Sequence, residues 1–129
     1  MEQNPGAKFK LGIEPFDGEH QAMMNVIAKM SKAALNPLDK AAAAALVGEL
    51  ASLAERHFNN EETELEKRGY PELVEHEDEH RNLLNELKEI RTRIESGEAA
   101  MNEELADFLY NWMAVHVTET DAKYRRLFP

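Results

Sequence analysis

The fold is decided by residues 57–80, which read HFNNEETELEKRGYPELVEHEDEH. The triplet Gly69-Tyr70-Pro71 divides this stretch in two, because the residue before a proline is pushed out of the helical region. On each side, ionisable residues recur at a step of four, the spacing of one helix face. The recurring residues are His57 and Glu61, then His76 and His80. The stretch predicts two antiparallel helices that carry polar groups where core residues are expected.

The same helical period extends through the rest of the chain, without strand-like alternation. Breaks at Asn36-Pro37 and Ser96-Gly97 complete the division into four segments. We expect helices at about residues 18–35, 39–67, 71–95 and 101–125, after an extended arm over residues 1–17 that is rich in proline and glycine. Short connections make consecutive helices antiparallel neighbours. The predicted fold is an all-α, up-down-up-down four-helix bundle, in one domain over residues 1–129.

Composition excludes several classes of protein. The 129 residues include no cysteine, so disulfides, thiolate catalysis and iron–sulfur clusters are ruled out. The formal net charge of -10 argues against binding nucleic acid or an anionic membrane, and we interpret it as a solvated outer surface. Neither a signal peptide nor a membrane-spanning run is evident. We therefore expect a cytoplasmic protein.

All five histidines fall on the inward stripes of their segments. They are His20, His57, His76, His80 and His116. A single such histidine is usually a core residue with local hydrogen bonds. An inward stripe covers about three positions in seven, so five independent placements would all fall inward about 1–2% of the time. Buried imidazoles beside Glu61 are costly unless something pairs with them, and a metal ion is the obvious partner.

Counting residues from shared loops indicates which side chains lie at the same height. His80 and His116 lie equally far from the turn near residue 98, and His76 matches Asp121 one turn further along. By the same counting, His57 and His20 approach the level of His80. Asp121 alone would be assigned to the surface, since it lies about 140° round the helix from His116. A local widening of the helix would realign it. Seven ligand-type residues thus converge on two layers, with room for two metal ions.

Two other metal-site motifs partly match this sequence. His76-Glu77-Asp78-Glu79-His80 satisfies the zinc-peptidase pattern H-E-x-x-H, whose glutamate acts as the base. Here Glu77 is expected on a solvated face with Glu75, Asp78 and Glu79, so zinc hydrolysis is a remote alternative. A ferritin-like site needs two Glu-x-x-His pairs and further glutamates, and this sequence does not supply them.

Ligand chemistry narrows the choice of metal. Five imidazoles and two carboxylates suit iron, zinc, copper or nickel better than magnesium, calcium or manganese. Structural zinc sites are complete with four ligands, so a site of seven ligands for two metals does not fit purely structural zinc. If the carboxylates bridge two octahedral ions, three histidines fill one ion and two leave the other with a vacant position. A small gas would bind at such a position on iron.

The motifs resemble those of the hemerythrins, most closely the bacterial single-domain members. They are Asp17-Gly18-Glu19-His20, His57-Phe58-Asn59-Asn60-Glu61-Glu62, Gly69-Tyr70-Pro71, His76-x-x-x-His80 and Trp112-x-x-x-His116-x-x-x-x-Asp121-x-x-Tyr124. The resemblance covers the chain from about residue 10. It implies a non-haem di-iron centre, with an oxo or hydroxo bridge, that binds O2 reversibly.

By motif position, the resemblance also implies a role for each site residue. One iron, saturated, would be held by His76, His80 and His116, and the open iron by His20 and His57. The bridging residues would be Glu61 and Asp121. The O2 pocket would be lined by Met23, Phe58, Trp112 and Val117, each of which also suits ordinary core packing. Met23 stands where the family commonly has leucine, and Glu19 where glutamine is common.

Three roles follow from this resemblance. The first is O2 carriage, storage or delivery to an oxygen-consuming protein partner, without catalysis. The second is a di-iron redox enzyme that reduces peroxide or nitric oxide on the same scaffold. The third is an oxygen sensor module that signals through a separate partner.

Overall fold

The computed structural model describes residues 13, 16–35, 39–117, 123–124 and 127. Within this part of the chain lie four α-helices and no strand. The helices are α1 (Phe16–Ala33), α2 (Lys40–Lys67), α3 (Leu73–Ser96) and α4 (Glu103–Val115). Helix α1 packs against α2 and α4, and α2 packs against α3. The predicted all-α four-helix bundle is confirmed. None of the four helices is long and apolar enough to cross a membrane.

Local signals explain where the helices begin and end. The side chain of Asp39 accepts a hydrogen bond from the Ala42 backbone N–H at 3.0 Å, and Asn102 caps α4 in the same way through Leu105 at 2.9 Å. Each cap satisfies a backbone donor that lacks a partner within its helix. Gly97 ends α3 with a φ of 86°, as the sequence predicts for a glycine at this position.

The first helix begins earlier than predicted. The sequence predicts an arm through residue 17, but α1 begins at Phe16, and both Phe16 and Asp17 are buried. The ring of Phe16 lies edge-on to His57 at 5.7 Å and to Tyr124 at 6.1 Å. These contacts hold the first turn of α1 against the bundle. Except for the buried Ile13, residues 1–15 lie outside the described part.

The fourth helix also differs from the prediction of 101–125. Its α-helical part ends at Val115, and His116 and Val117 form a π-helical turn. A π turn holds an additional residue and so widens the helix. This widening lies where the spacing from His116 to Asp121 calls for one, although Asp121 is outside the described residues.

The buried apolar residues form two clusters. The larger fills the bundle around residues such as Leu50 and Leu87, and the smaller consists of Ile13, Phe16, Leu65, Tyr70 and Tyr124. The histidines lie where the clusters meet. Phe58 of the larger cluster stacks on His80 at 3.8 Å, and Tyr70 of the smaller lies 6.0 Å from the ring of His76. The histidine layer is therefore shielded on two sides by apolar side chains.

Phe108 of α4 is a large apolar residue that is nevertheless 47% exposed. The inward residues of α4 and its extension run in steps of four, three and four: Leu105, Leu109, Trp112 and His116. Phe108 precedes Leu109 by one residue, which turns its side chain about 100° away from that line. The helical period predicts which line of residues faces the core, but it does not show which of two adjacent apolar residues is the buried one.

Replacement of glycine by alanine is expected to change the free energy of unfolding in opposite directions at two positions, 97 and 48. Gly97→Ala places a side chain at φ 86° and should lower the free energy of unfolding by about 1 kcal/mol. Gly48→Ala should raise it by up to about 1 kcal/mol, because alanine favours the helix interior. The new methyl group would meet only the end of the exposed Arg91 side chain, which can move. Urea denaturation of both variants checks the signs, and equal effects would contradict this account.

Candidate metal centre

Six of the seven predicted ligand residues lie together inside the bundle. They are His20, His57, Glu61, His76, His80 and His116. None is more than 3% exposed. The seventh, Asp121, lies outside the described residues.

The candidate ligands of each helix lie within about one turn of that helix. His57 and Glu61 are four residues apart on α2, and His76 and His80 are four apart on α3, so each pair shares a helix face. His20 comes from the first turns of α1, and His116 follows the last residue of α4. The ring of His80 lies 5.0 Å from that of His116. This is one of the pairs that counting from the loops predicts.

Glu61 is the centre of this arrangement. Its Oε1 lies 2.7 Å from His76 Nε2 and 3.0 Å from His80 Nε2, and its Oε2 lies 3.2 Å from His57 Nε2. Tyr124 donates its hydroxyl proton to Oε2 at 2.5 Å. Burial, the largest single effect, raises the pKa of Glu61, but the close contacts with His57, His76 and His80 together outweigh it and hold this pKa well below its ordinary value. Glu61 is therefore an anion in direct contact with four side chains.

The candidate ligands form two groups that share Glu61. One group contains Glu61, His76, His80 and His116, and the other contains His20, His57 and Glu61. Within each group the ligand atoms lie within 4.8 Å of one another. In the smaller group, Nε2 of His20 and Nε2 of His57 are 3.0 Å apart. The shared carboxylate lies where a bridge between two ions would be.

Three further glutamates hold the outer nitrogens of these histidines. In each contact, Nδ1 donates to a carboxylate oxygen at 2.6 Å, and the pairs are His57–Glu19, His80–Glu62 and His116–Glu79. Glu19 also accepts a hydrogen bond from Asn60 at 2.7 Å. Burial raises the pKa of Glu19, but the hydrogen bonds from His57 and Asn60 lower it by more than burial raises it. The net shift of this pKa is therefore downward.

These glutamates are site residues that the sequence reasoning missed. The expectation that Glu79 belongs only to a solvated face is wrong, since its carboxylate is bound to His116. A signal was present, because each of the three directly precedes or follows a residue of the cluster: Glu19 before His20, Glu62 after Glu61 and Glu79 before His80. That signal alone does not show that a carboxylate reaches the next helix.

Proton counting tests whether a metal ion suits this cluster. A neutral imidazole has one N–H, and in both His57 and His80 that hydrogen is already given to an outer glutamate. Yet Nε2 of each ring also lies within 3.2 Å of the Glu61 carboxylate. Either an additional proton or a cation must separate the nitrogen from the carboxylate. Two atoms that bind one ion at about 2.1 Å and at right angles lie about 3 Å apart, so the observed spacing suits a metal.

The four predicted pocket residues are buried in the larger apolar cluster. They are Met23, Phe58, Trp112 and Val117. Phe58 lies between histidines, stacked on His80 and 5.4 Å edge-on from His116. Trp112 and His116 border a groove of about 390 Å³ between α3 and α4, and Trp112 Nε1 makes no hydrogen bond to the described residues. The lining beside the histidines is therefore largely apolar.

A family model described as the hemerythrin HHE cation binding domain matches residues 11–128. The chain belongs to the hemerythrin family. It is 29% identical over 123 residues to the bacteriohemerythrin of Clostridium acetobutylicum, which covers 91% of this chain and 94% of that protein. It is 25% identical over 118 residues to the bacteriohemerythrin of Methylococcus capsulatus, and this match covers 92% of this chain and 89% of that protein. The myohemerythrin of Riftia pachyptila is 29% identical to this chain over 117 residues, and this match covers 91% of this chain and 86% of that protein.

Solved structures support the same fold. A crystal structure of wild-type hemerythrin superposes on this hemerythrin-family chain with a TM-score of 0.79 and 24% sequence identity. The match covers 87% of this chain and 85% of that one.

Membership of the hemerythrin family bears on the H-E-x-x-H motif. Both of its histidines lie in the group around Glu61. The spacing of His76 and His80 is that of one face of α3, so the helical stripe alone accounts for it.

Tyr124→Phe should destabilise the metal-free protein. The substitution leaves the buried Glu61 without a donor that lies 2.5 Å away, and a lost hydrogen bond to a buried charged group costs about 1–3 kcal/mol. Denaturant unfolding of the metal-free wild type and variant measures the difference. A free energy of unfolding equal to that of the wild type would contradict the role assigned to this hydroxyl.

Proposed function

We propose that this protein binds O2 reversibly at a non-haem di-iron centre. The observation that carries the proposal is the division of six buried ligand-type residues into a three-histidine and a two-histidine group that share Glu61. The family match over residues 11–128 supports iron as the metal. The similarity to a bacteriohemerythrin and a myohemerythrin supports the same choice.

Each group would hold one iron. We assign one iron to His76, His80 and His116 and the other to His20 and His57. Glu61 and, by its place in the motif, Asp121 would bridge them together with an oxo or hydroxo group. The irons would supply the electrons that O2 takes up on binding and returns on release. The two-histidine group has fewer protein ligands, so it is the side that we assign to O2.

The four side chains of the predicted O2 pocket favour binding over catalysis. Met23, Phe58, Trp112 and Val117 are buried and cannot relay protons as a carboxylate or imidazole would. An apolar lining of this kind excludes water and slows the loss of reduced oxygen species from the site. We therefore favour O2 carriage, storage or delivery to an oxygen-consuming protein over a peroxide- or nitric oxide-reducing enzyme.

The O2-binding proposal is tested on protein loaded anaerobically with iron(II). Exposure to O2 should produce a visible charge-transfer absorption, and removal of O2 should abolish it through repeated cycles. The variant His57→Ala, which removes one candidate ligand of the O2-binding iron, should lose this cycling. Absence of a reversible spectrum in the iron-loaded wild type would refute the proposed function.

Metal removal should lower stability. Without an ion, the buried histidines and Glu61 lose the cation that the proposal places among them. A ligand present at 100 times its dissociation constant stabilises the native state by about 2.7 kcal/mol. Thermal unfolding of iron-loaded and chelator-treated protein should therefore give a higher midpoint for the loaded form. Coincident midpoints would contradict metal binding at this cluster.

A further inference from the structure

Three glutamates connect the helices of the bundle in chain order. Each projects from one helix and accepts the Nδ1 proton of a histidine on the next. The pairs are Glu19 of α1 with His57 of α2, Glu62 of α2 with His80 of α3, and Glu79 of α3 with His116 beyond α4. We call Glu19, Glu62 and Glu79 the outer carboxylates.

The first consequence of these contacts is orientation. A carboxylate on Nδ1 fixes the hydrogen at that nitrogen and turns the Nε2 lone pair the other way. In His57 and His80, Nε2 is the atom that faces Glu61, at 3.2 and 3.0 Å. The 2.6 Å contacts are in the range of charge-assisted hydrogen bonds. Each outer carboxylate therefore aims a nitrogen at the candidate metal position from a different helix.

The second consequence concerns charge. The side chains of Glu19, Glu62 and Glu79 are 24%, 23% and 40% exposed, whereas their histidines are at most 3% exposed. Partly sheltered anions interact more strongly with a buried cation than fully solvated anions do. A carboxylate on Nδ1 also makes the imidazole a more basic ligand. Both effects favour the more highly charged, oxidised state of a bound metal.

We propose that the outer carboxylates are positioning residues that act through Nδ1 of His57, His80 and His116 to aim Nε2 at the metals and to stabilise the oxidised centre. This inference rests on the proposed di-iron function. Glu19 is the most informative of the three, because it holds a histidine of the two-histidine group and is itself held by Asn60.

Two substitutions of Glu19 separate orientation from charge. Glu19→Gln keeps a carbonyl acceptor but removes the charge, and Glu19→Ala removes both. Glu66→Gln is the matched control, because Glu66 is an exposed residue of α2 and the substitution changes the net charge equally. Glu62→Gln and Glu79→Gln extend the comparison to the other histidines.

Nuclear magnetic resonance of the metal-free proteins reads out orientation independently of iron. The Nδ1–H signal of His57 should persist in the wild type, in Glu19→Gln and in Glu66→Gln, and should be lost in Glu19→Ala. In iron-loaded protein, Glu19→Gln should weaken metal retention against a competing chelator by about 10–100-fold and raise the reduction potential, while Glu66→Gln changes neither. A purely structural role would lower the melting temperature without moving the potential.

The result that overturns the inference is a set of outer-carboxylate variants that match Glu66→Gln in the Nδ1–H signal, metal retention and potential. That result would leave the proposed function standing as long as the wild type binds O2 reversibly. If the wild type fails to bind iron or O2, the proposed function itself fails, and the metal-free Nδ1–H signals still decide whether the outer carboxylates orient the histidines.

Discussion

The structure depends on a single buried carboxylate. Glu61 is 0% exposed, and burying an ionised carboxylate costs several kcal/mol unless partners surround it. The partners come from separate parts of the chain: His57 from α2, His76 and His80 from α3, and Tyr124 from the segment after α4. These contacts join α2, α3 and the segment that contains Tyr124 at one level of the bundle.

Most of the cluster is predictable from sequence, because the rise and rotation of an α-helix are constant. A step of four residues brings His57 and Glu61 to one face, and equal distance from a loop brings His80 level with His116. Neither inference needs side-chain detail. The prediction is weaker at helix ends, where tertiary contacts decide the boundary. Phe16 joins α1 because its ring packs against His57 and Tyr124, which no local preference indicates.

The outer carboxylates show why the rest of the site could not be read in the same way. A residue adjacent to an inward position lies about 100° round the helix, at the edge between the core and solvent. Whether such a glutamate is solvated or reaches the neighbouring helix depends on the distance between the helix axes and on the side-chain rotamer. The sequence around Glu79 is acidic and typical of a solvated face, yet its carboxylate binds His116. The helical period shows which residues face the core and which face solvent. Whether a residue at the boundary between the two faces is solvated or binds a neighbouring helix depends on contacts between the helices.

This distinction changes the meaning of the acidic composition. The net charge of -10 counts amino acids alone, and the sequence by itself predicts that this charge lies on the outer surface. Four of the contributing carboxylates, however, lie in or directly around the histidine cluster: Glu19, Glu61, Glu62 and Glu79. Bound cations are often the largest local charges in a site, so two iron ions would offset these carboxylates where they lie. On the proposed assignment, part of the acidity is the counter-charge of a metal centre, and the surface carries only the remainder.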